Sequence, residues 1–126
     1  MQNYDSVNFQ PPAPVAYVSV YSHDKIQSAV NVPMLLDSGA DVSLVPRELL
    51  SQIIAASTVG QSYSLMGFDG TESAAPAIQL ELHFLDKIFR GQFLIVDGHH
   101  GIIGRNILNC LPLFFDGPAL TWKESR

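Results

Sequence analysis

The stretch Leu35-Leu36-Asp37-Ser38-Gly39-Ala40-Asp41-Val42-Ser43-Leu44-Val45 decides how the rest of this chain is read. An acid placed directly after an apolar run is unusual, because a buried carboxylate is costly unless it is paired or hydrogen-bonded. Ser38 supplies a hydroxyl beside it, and Gly39 lets the backbone turn tightly and bring N–H groups close to the acid. In an arbitrary loop, Asp-Ser-Gly is an ordinary turn. Here apolar residues flank it on both sides, which marks Asp37 as a supported acid at the end of a buried strand.

A second informative segment is Ile102-Ile103-Gly104-Arg105-Asn106-Ile107-Leu108. It reads as a buried strand that ends at a glycine and enters a helix. Arg105 at that junction needs an acidic partner if it is buried, and Asp41 is the natural candidate. The plain alternative is a solvated arginine at a helix start.

Around these two segments the pattern is of short strands. Val15 to Tyr21 is largely β-branched or aromatic, and Ala29 to Leu36 leads into the Asp37 turn. Leu44-Val45 is a short apolar strand. Pro46 to Ile54 reads as a short helix, with proline in its first turn and Leu49, Leu50 and Ile53 on one face. Ser62 to Met66 and Ile78 to Phe84 flank the turn Gly67-Phe68-Asp69-Gly70. Within the latter, Ile78, Leu80, Leu82 and Phe84 alternate with Gln79, Glu81 and His83, the period of a half-buried strand. Ile88 to Val96 and Ile102-Ile103 are further strands, Asn106 to Leu111 suits a short helix, and Phe114 to Trp122 closes the chain as a hairpin. Many short strands, Gly/Pro turns and little helix indicate an all-β barrel or sandwich. Residues 1–14 are polar and proline-rich and read as an arm or linker, leaving 15–126 as one domain.

Composition narrows the function classes. The chain has 126 residues, 47% hydrophobic and only 15% charged, enough to bury one core. The formal charge of -5 argues against nucleic acid or anionic membrane as partners, since both call for clustered basic residues. One cysteine, Cys110, excludes an internal disulfide and a multi-cysteine metal site, and reads as a small core residue. There is no signal peptide and no membrane-length apolar run, so a soluble, intracellular chain or a segment of a longer one is expected. Adjacent His99 and His100 are poorly placed to chelate one metal, and Gly98 to Gly104 lacks the features of a phosphate loop.

With both segments in view, the chain resembles the retropepsins, the retroviral and retroviral-like aspartic proteases. Residues 35–41 look like that family's apolar-apolar-Asp-Thr/Ser-Gly-Ala-Asp loop, and residues 102–106 resemble the apolar-apolar-Gly-Arg-Asn/Asp segment beneath it. The resemblance implies a closed acid-protease barrel with short helices and one lobe per chain. Asp37, with Ser38 and Gly39, matches the catalytic loop, and Ser38 matches the residue that locks two such loops across a dimer axis. Ala40, Asp41, Leu44, His100 and Ile102 fall at substrate-binding positions, and Gly67, Phe68, Asp69 and Gly70 fall at the flap tip. Leu35, Leu44 and Ile102 read equally well as pocket lining or as plain core. Gly104, Arg105 and Asn106 match the supporting segment. The acidic Asp69 and the longer helix depart from viral members, and the ending Leu113 to Pro118 looks more like cellular or bacterial ones.

Peptide hydrolysis by this chemistry needs two carboxylates sharing a proton, one as base on water and one as acid toward the scissile carbonyl. This chain has one such loop, so a symmetric homodimer is expected. The N-terminal arm and Leu120 to Lys123 are the candidate interface strands by resemblance. The expected activity is an aspartic endopeptidase acting on extended peptides with no cofactor. The alternatives are a non-catalytic dimeric peptide-binding module of the same fold, and a generic β-barrel binding protein.

Overall fold

Alternation of side chains builds the walls of this molecule. In β2 (Ala13–Ser22), Ala16, Val18 and Val20 are buried while Tyr17 between them is 59% exposed. In β3 (Ser28–Leu36), Val32, Met34 and Leu36 turn inward in the same way. The computed structural model describes residues 1–55, 62–66, 70 and 72–125. Among them are β1 (Gln2–Asp5), β4 (Leu44–Pro46), α1 (Ser51–Ala55), β5 (Ser62–Met66), β6 (Glu72–Phe84), β7 (Lys87–Val96), β8 (Gly101–Ile103), α2 (Arg105–Leu108), β9 (Leu113–Asp116) and β10 (Thr121–Glu124). Among the described residues, no helix is long and apolar enough to cross a membrane.

The strands run β5-β6-β7-β4-β8-β3-β2-β1-β10-β9, and an additional β6–β2 pairing closes six of them, β2, β3, β8, β4, β7 and β6, into a barrel. Two pairings in the barrel are parallel. β8 lies beside β3, with Leu35 opposite Ile102 and Leu36 opposite Ile103, and β4 lies beside β7, with Leu44 opposite Leu94. β8 also pairs antiparallel with β4 through Ile102 and Leu44. The strands on either side of the Asp37 loop therefore both border β8, which arrives from far along the sequence. Inside, Met34, Leu80, Leu82 and Ile103 are essentially inaccessible. The expected all-β barrel is what forms.

Several local expectations need correction. The helix expected from Pro46 to Ile54 is broken into pieces. Pro46 is the last residue of β4, opposite Val96; a 3-10 turn covers Arg47–Leu49, and α1 follows. The tighter 3-10 turn takes Leu49 away from Leu50 and Ile53, leaving it 42% exposed while those two are buried. Residues 1–14, expected as an arm, contain β1, which pairs with β10 and with the start of β2, and Tyr4 packs against the core. A strand that joins through backbone hydrogen bonds needs little apolar sequence of its own, which is why its composition read as linker. The candidate interface strands β1 and β10 are thus paired with each other within the chain. Cys110, expected in the core, is exposed, its thiol 3.8 Å from the Asn106 carbonyl.

Glu81 sits on what the alternation marked as the polar face of β6, yet it is only 6% exposed. Arg90 on β7 donates to its carboxylate at 3.1 Å, His83 Nε2 lies at 3.3 Å, and Lys25 Nζ lies at 3.6 Å. Near the other end of the chain, Trp122 on β10 is 2% exposed, donates its indole N–H to the Val15 carbonyl at 3.3 Å, and packs against Phe84. The terminal hairpin β9–β10 is therefore anchored in the core.

Candidate active site

The Asp37 loop leaves β3 at Leu36 and is held at both ends. The Asp37 backbone N–H donates to the Ile103 carbonyl at 3.0 Å, continuing the β3–β8 ladder into the loop. Ala40 N–H then donates to the Asp37 carbonyl at 3.2 Å, closing a tight turn through Ser38 and Gly39. At the tip, Gly39 N–H donates to Asp37 Oδ1 at 2.9 Å. A Cβ at Gly39 would lie 3.1 Å from that same oxygen, so a side chain there would press on the acceptor. Asp37 is half-buried, while Ser38 and Gly39 are exposed. A carboxylate so placed has one oxygen oriented by the backbone, and the exposed tip leaves the acid open to an approaching group.

The second segment supports the first directly. Arg105 N–H donates to the Ala40 carbonyl at 2.8 Å, and its Nη1 donates to the Ser38 carbonyl at 2.7 Å. Gly104 sits so close under the loop that a Cβ would fall 2.8 Å from the Ala40 carbonyl oxygen and collide with the Val42 carbonyl group. Only glycine lets the two segments pack at this separation. The expected Arg105–Asp41 ion pair is not present. Both residues are exposed, so neither charge requires the other, and the guanidinium is instead committed to Ser38.

Sequence reading missed Ser43. Its side chain is 2% exposed, donates to Asn106 Oδ1 at 2.8 Å and accepts the Gly104 N–H at 3.0 Å. A serine flanked by Val42 and Leu44 at the end of the loop was the signal available: a polar residue in a buried run needs partners, and these were in the other segment. Asn106, expected as structural support, makes its contact through that serine.

The other site expectations divide. Leu44 is 6% exposed and packs with Ala75, Ala77 and Leu94, the core alternative of its two readings, whereas Ile102 and Leu35 are half-buried side by side on the sheet. His100 is half-buried, with Nε2 3.8 Å from Asp5 Oδ2 and its ring edge-to-face with Phe9 at 5.2 Å between centroids. Gly70 is exposed with φ +81°, a conformation that suits glycine. Gly67, Phe68 and Asp69, expected at a flap tip, lie outside the described residues. The strands on either side are described: β5 pairs antiparallel with the first part of β6, from Glu72 to Pro76.

The closed six-stranded barrel, with an Asp-Ser-Gly loop resting on a Gly-Arg-Asn segment, has the retropepsin-like fold. Among solved structures it is similar to EIAV protease complexed with the inhibitor HBY-793, with a TM-score of 0.57 over 84% of this chain and 91% of that chain, at 19% sequence identity. The likeness is one of fold. No protein-family model and no curated protein matches the sequence.

Proposed function

We propose that two copies of this chain bring their Asp37 loops together and form an aspartic endopeptidase. The observation that carries this reading is the Asp37 loop itself: a half-buried carboxylate oriented by Gly39 N–H, at an exposed tip that Arg105 and Ile103 hold rigid from beneath. Fixed geometry of this kind is what positions a general acid or base. In the pair, one carboxylate is ionised and takes a proton from the attacking water. The other is protonated and donates to the oxygen of the scissile carbonyl; the carboxyl that took the water's proton then gives it to the leaving nitrogen as the C–N bond breaks, and the hydroxyl proton of the tetrahedral species returns to the other carboxylate as the new carboxyl group forms. Ser38 hydroxyls meet across the axis and tie the loops to each other. The β5–β6 hairpin closes over an extended peptide as a flap. No cofactor enters the reaction, and water is the nucleophile.

The test is cleavage of a peptide mixture by the wild-type chain and by Asp37→Asn, with a statine-type peptide as inhibitor. Cleavage that is lost in Asp37→Asn and blocked by the inhibitor supports the reading. Full cleavage by Asp37→Asn removes it, and peptide binding without cleavage by the wild type points to a binding module on the same fold.

A further inference from the structure

The outer wall of the barrel carries a cluster that the Asp37 loop does not use. In β2, Val18 and Val20 turn inward, so Tyr17, Ser19 and Tyr21 face out; in β6, Leu80 and Leu82 turn inward, so Glu81 and His83 face out with them. The register sets two rows side by side across three strands. Ser19 lies opposite His83 and His83 opposite Ile88, while Tyr21 lies opposite Glu81 and Glu81 opposite Arg90. The Tyr21 and His83 rings meet at 4.5 Å between centroids. Ile88 is 47% and Tyr17 59% exposed, and an open cavity of about 420 Å³ lies beside His83 and Ile88. An aromatic and aliphatic floor thus faces solvent. Tyr21 stands opposite Ser28 at the start of β3, so most of that strand, roughly 30 Å at about 3.3 Å per residue, separates the two rows from Asp37.

Positive charge gathers at one edge of this floor. Arg90 on β7 and Lys25 in the turn after β2 both close on the buried Glu81 carboxylate, yet their side chains remain 61% and 62% exposed. Arg90 bonds Glu81 through Nε at 3.1 Å, which fixes the guanidinium plane and leaves its two terminal amino groups for an acceptor from outside. His83 sets Nε2 3.3 Å from the other carboxylate oxygen. Asp24, in the turn with Lys25, is already engaged by the Ser22 hydroxyl at 2.6 Å and the Ile26 N–H at 3.0 Å. Two exposed cations therefore converge on one buried acid, in a chain whose net charge is -5.

We infer that this face is a docking site for an acidic, apolar segment of another protein, lying extended across β2, β6 and β7. A carboxylate of the segment pairs with Arg90 and Lys25, and a neighbouring branched or aromatic side chain rests on His83 and Ile88. Glu81 is a positioning residue: it holds the two cations at one spot and sets the direction in which the guanidinium faces. Charge complementarity selects the occupant. A basic segment meets Arg90 and Lys25 as like charges, and a purely apolar one leaves the outer edge of the guanidinium without an acceptor. The site is separate from the Asp37 loop and stands whether or not that loop cleaves peptides.

The experiment titrates the full chain, carrying Asp37→Asn so that no peptide is consumed, into three fluorescein-labelled peptides: alternating Glu and Leu, alternating Gln and Leu, and alternating Lys and Leu. Binding is read by fluorescence anisotropy, and repeated with Arg90→Gln, Lys25→Gln or Ile88→Ser added. Arg47→Gln, which removes an exposed cation paired elsewhere with Asp97, is the control, and circular dichroism checks folding. The Glu peptide is expected to bind in preference to the other two, and added salt to weaken it. Arg90→Gln is expected to raise its Kd about tenfold, and Lys25→Gln and Ile88→Ser about threefold to fivefold each. Arg47→Gln leaves the Kd unchanged. Lys25→Gln keeps the Arg90–Glu81 bond in place, so the test holds even where Arg90→Gln fails to fold. The inference is overturned if the Glu peptide does not bind, if the Gln or Lys peptide binds as tightly, or if folded Lys25→Gln and Ile88→Ser bind as before. Sedimentation showing self-association that Ile88→Ser abolishes would give this face to a second copy of the chain and overturn it as well.

Discussion

Ser43 Oγ donates to Asn106 Oδ1 at 2.8 Å and accepts from Gly104 N–H at 3.0 Å, so one buried hydroxyl joins the end of the acid loop to the segment beneath it. The two residues are 63 positions apart in sequence, and the bond makes the height of the loop depend on both. Replacing Ser43 with alanine leaves the buried Gly104 N–H without its acceptor and takes a donor from Asn106 Oδ1. We expect Ser43→Ala to lose about 1–3 kcal/mol in urea denaturation, with cleavage falling as the Asp37 loop loosens. A variant within about 0.3 kcal/mol of wild type would mean that water takes over the hydroxyl's bonds.

Gly104→Ala tests close packing directly. The added methyl meets the carbonyls of Val42 and Ala40, which are backbone and cannot swing aside. The expected cost is about 3 kcal/mol, at the upper end for an overpacked site, read as a lowered thermal midpoint. Wild-type stability in this variant would show that the loop has room to rise.

Mixing experiments examine the two-copy site. If each active unit needs two intact Asp37 loops and subunits exchange freely, an equal mixture of wild type and Asp37→Asn retains about a quarter of the activity. A fall to one half, linear in the wild-type share, would mean that each copy works alone.

Acid should loosen the fold. Burial opposes ionisation of Glu81, but hydrogen bonds from His83 and Arg90 and the nearby Lys25 outweigh it and hold its carboxyl below the ordinary range. Asp5 is lowered by the Asn8 side chain and backbone, and Asp24 by the Ser22 hydroxyl. A carboxylate depressed in the folded state adds stability above its unfolded value, about 4.3 for a glutamate, and loses it as the pH falls through the folded value. Urea midpoints should therefore hold between about pH 5 and 7 and decline below about pH 4. Glu81→Gln should start lower at neutral pH and decline less steeply; an unchanged slope would show that the cluster contributes nothing to acid sensitivity.

What the sequence made legible follows from how each feature is encoded. Asp37 and Gly104 stand out because each interrupts an apolar run with a residue that such a run does not otherwise tolerate. Ser43 is the same kind of signal in weaker form, a small hydroxyl whose importance lies in a partner far along the chain. Glu81 was hidden, since a period of two assigns it to solvent and cannot foresee that a cation from β7, one from the turn after β2 and a histidine two residues away converge on it. β1 was hidden for the opposite reason: its affinity for β10 lies in backbone groups that every residue possesses. The Arg105–Asp41 pairing failed because charge alone was used to match them, whereas the nearer acceptor was a peptide carbonyl.

The insertion of β8 between β3 and β4 has a temporal consequence. As the chain emerges from a ribosome, residues 34–46 appear with their central neighbour still some sixty residues from synthesis, and the Asp37 backbone has no Ile103 carbonyl to meet. The Asp37 turn is therefore assembled among the last things made, and a chain stopped before Gly101 carries the acid without the scaffold that holds it.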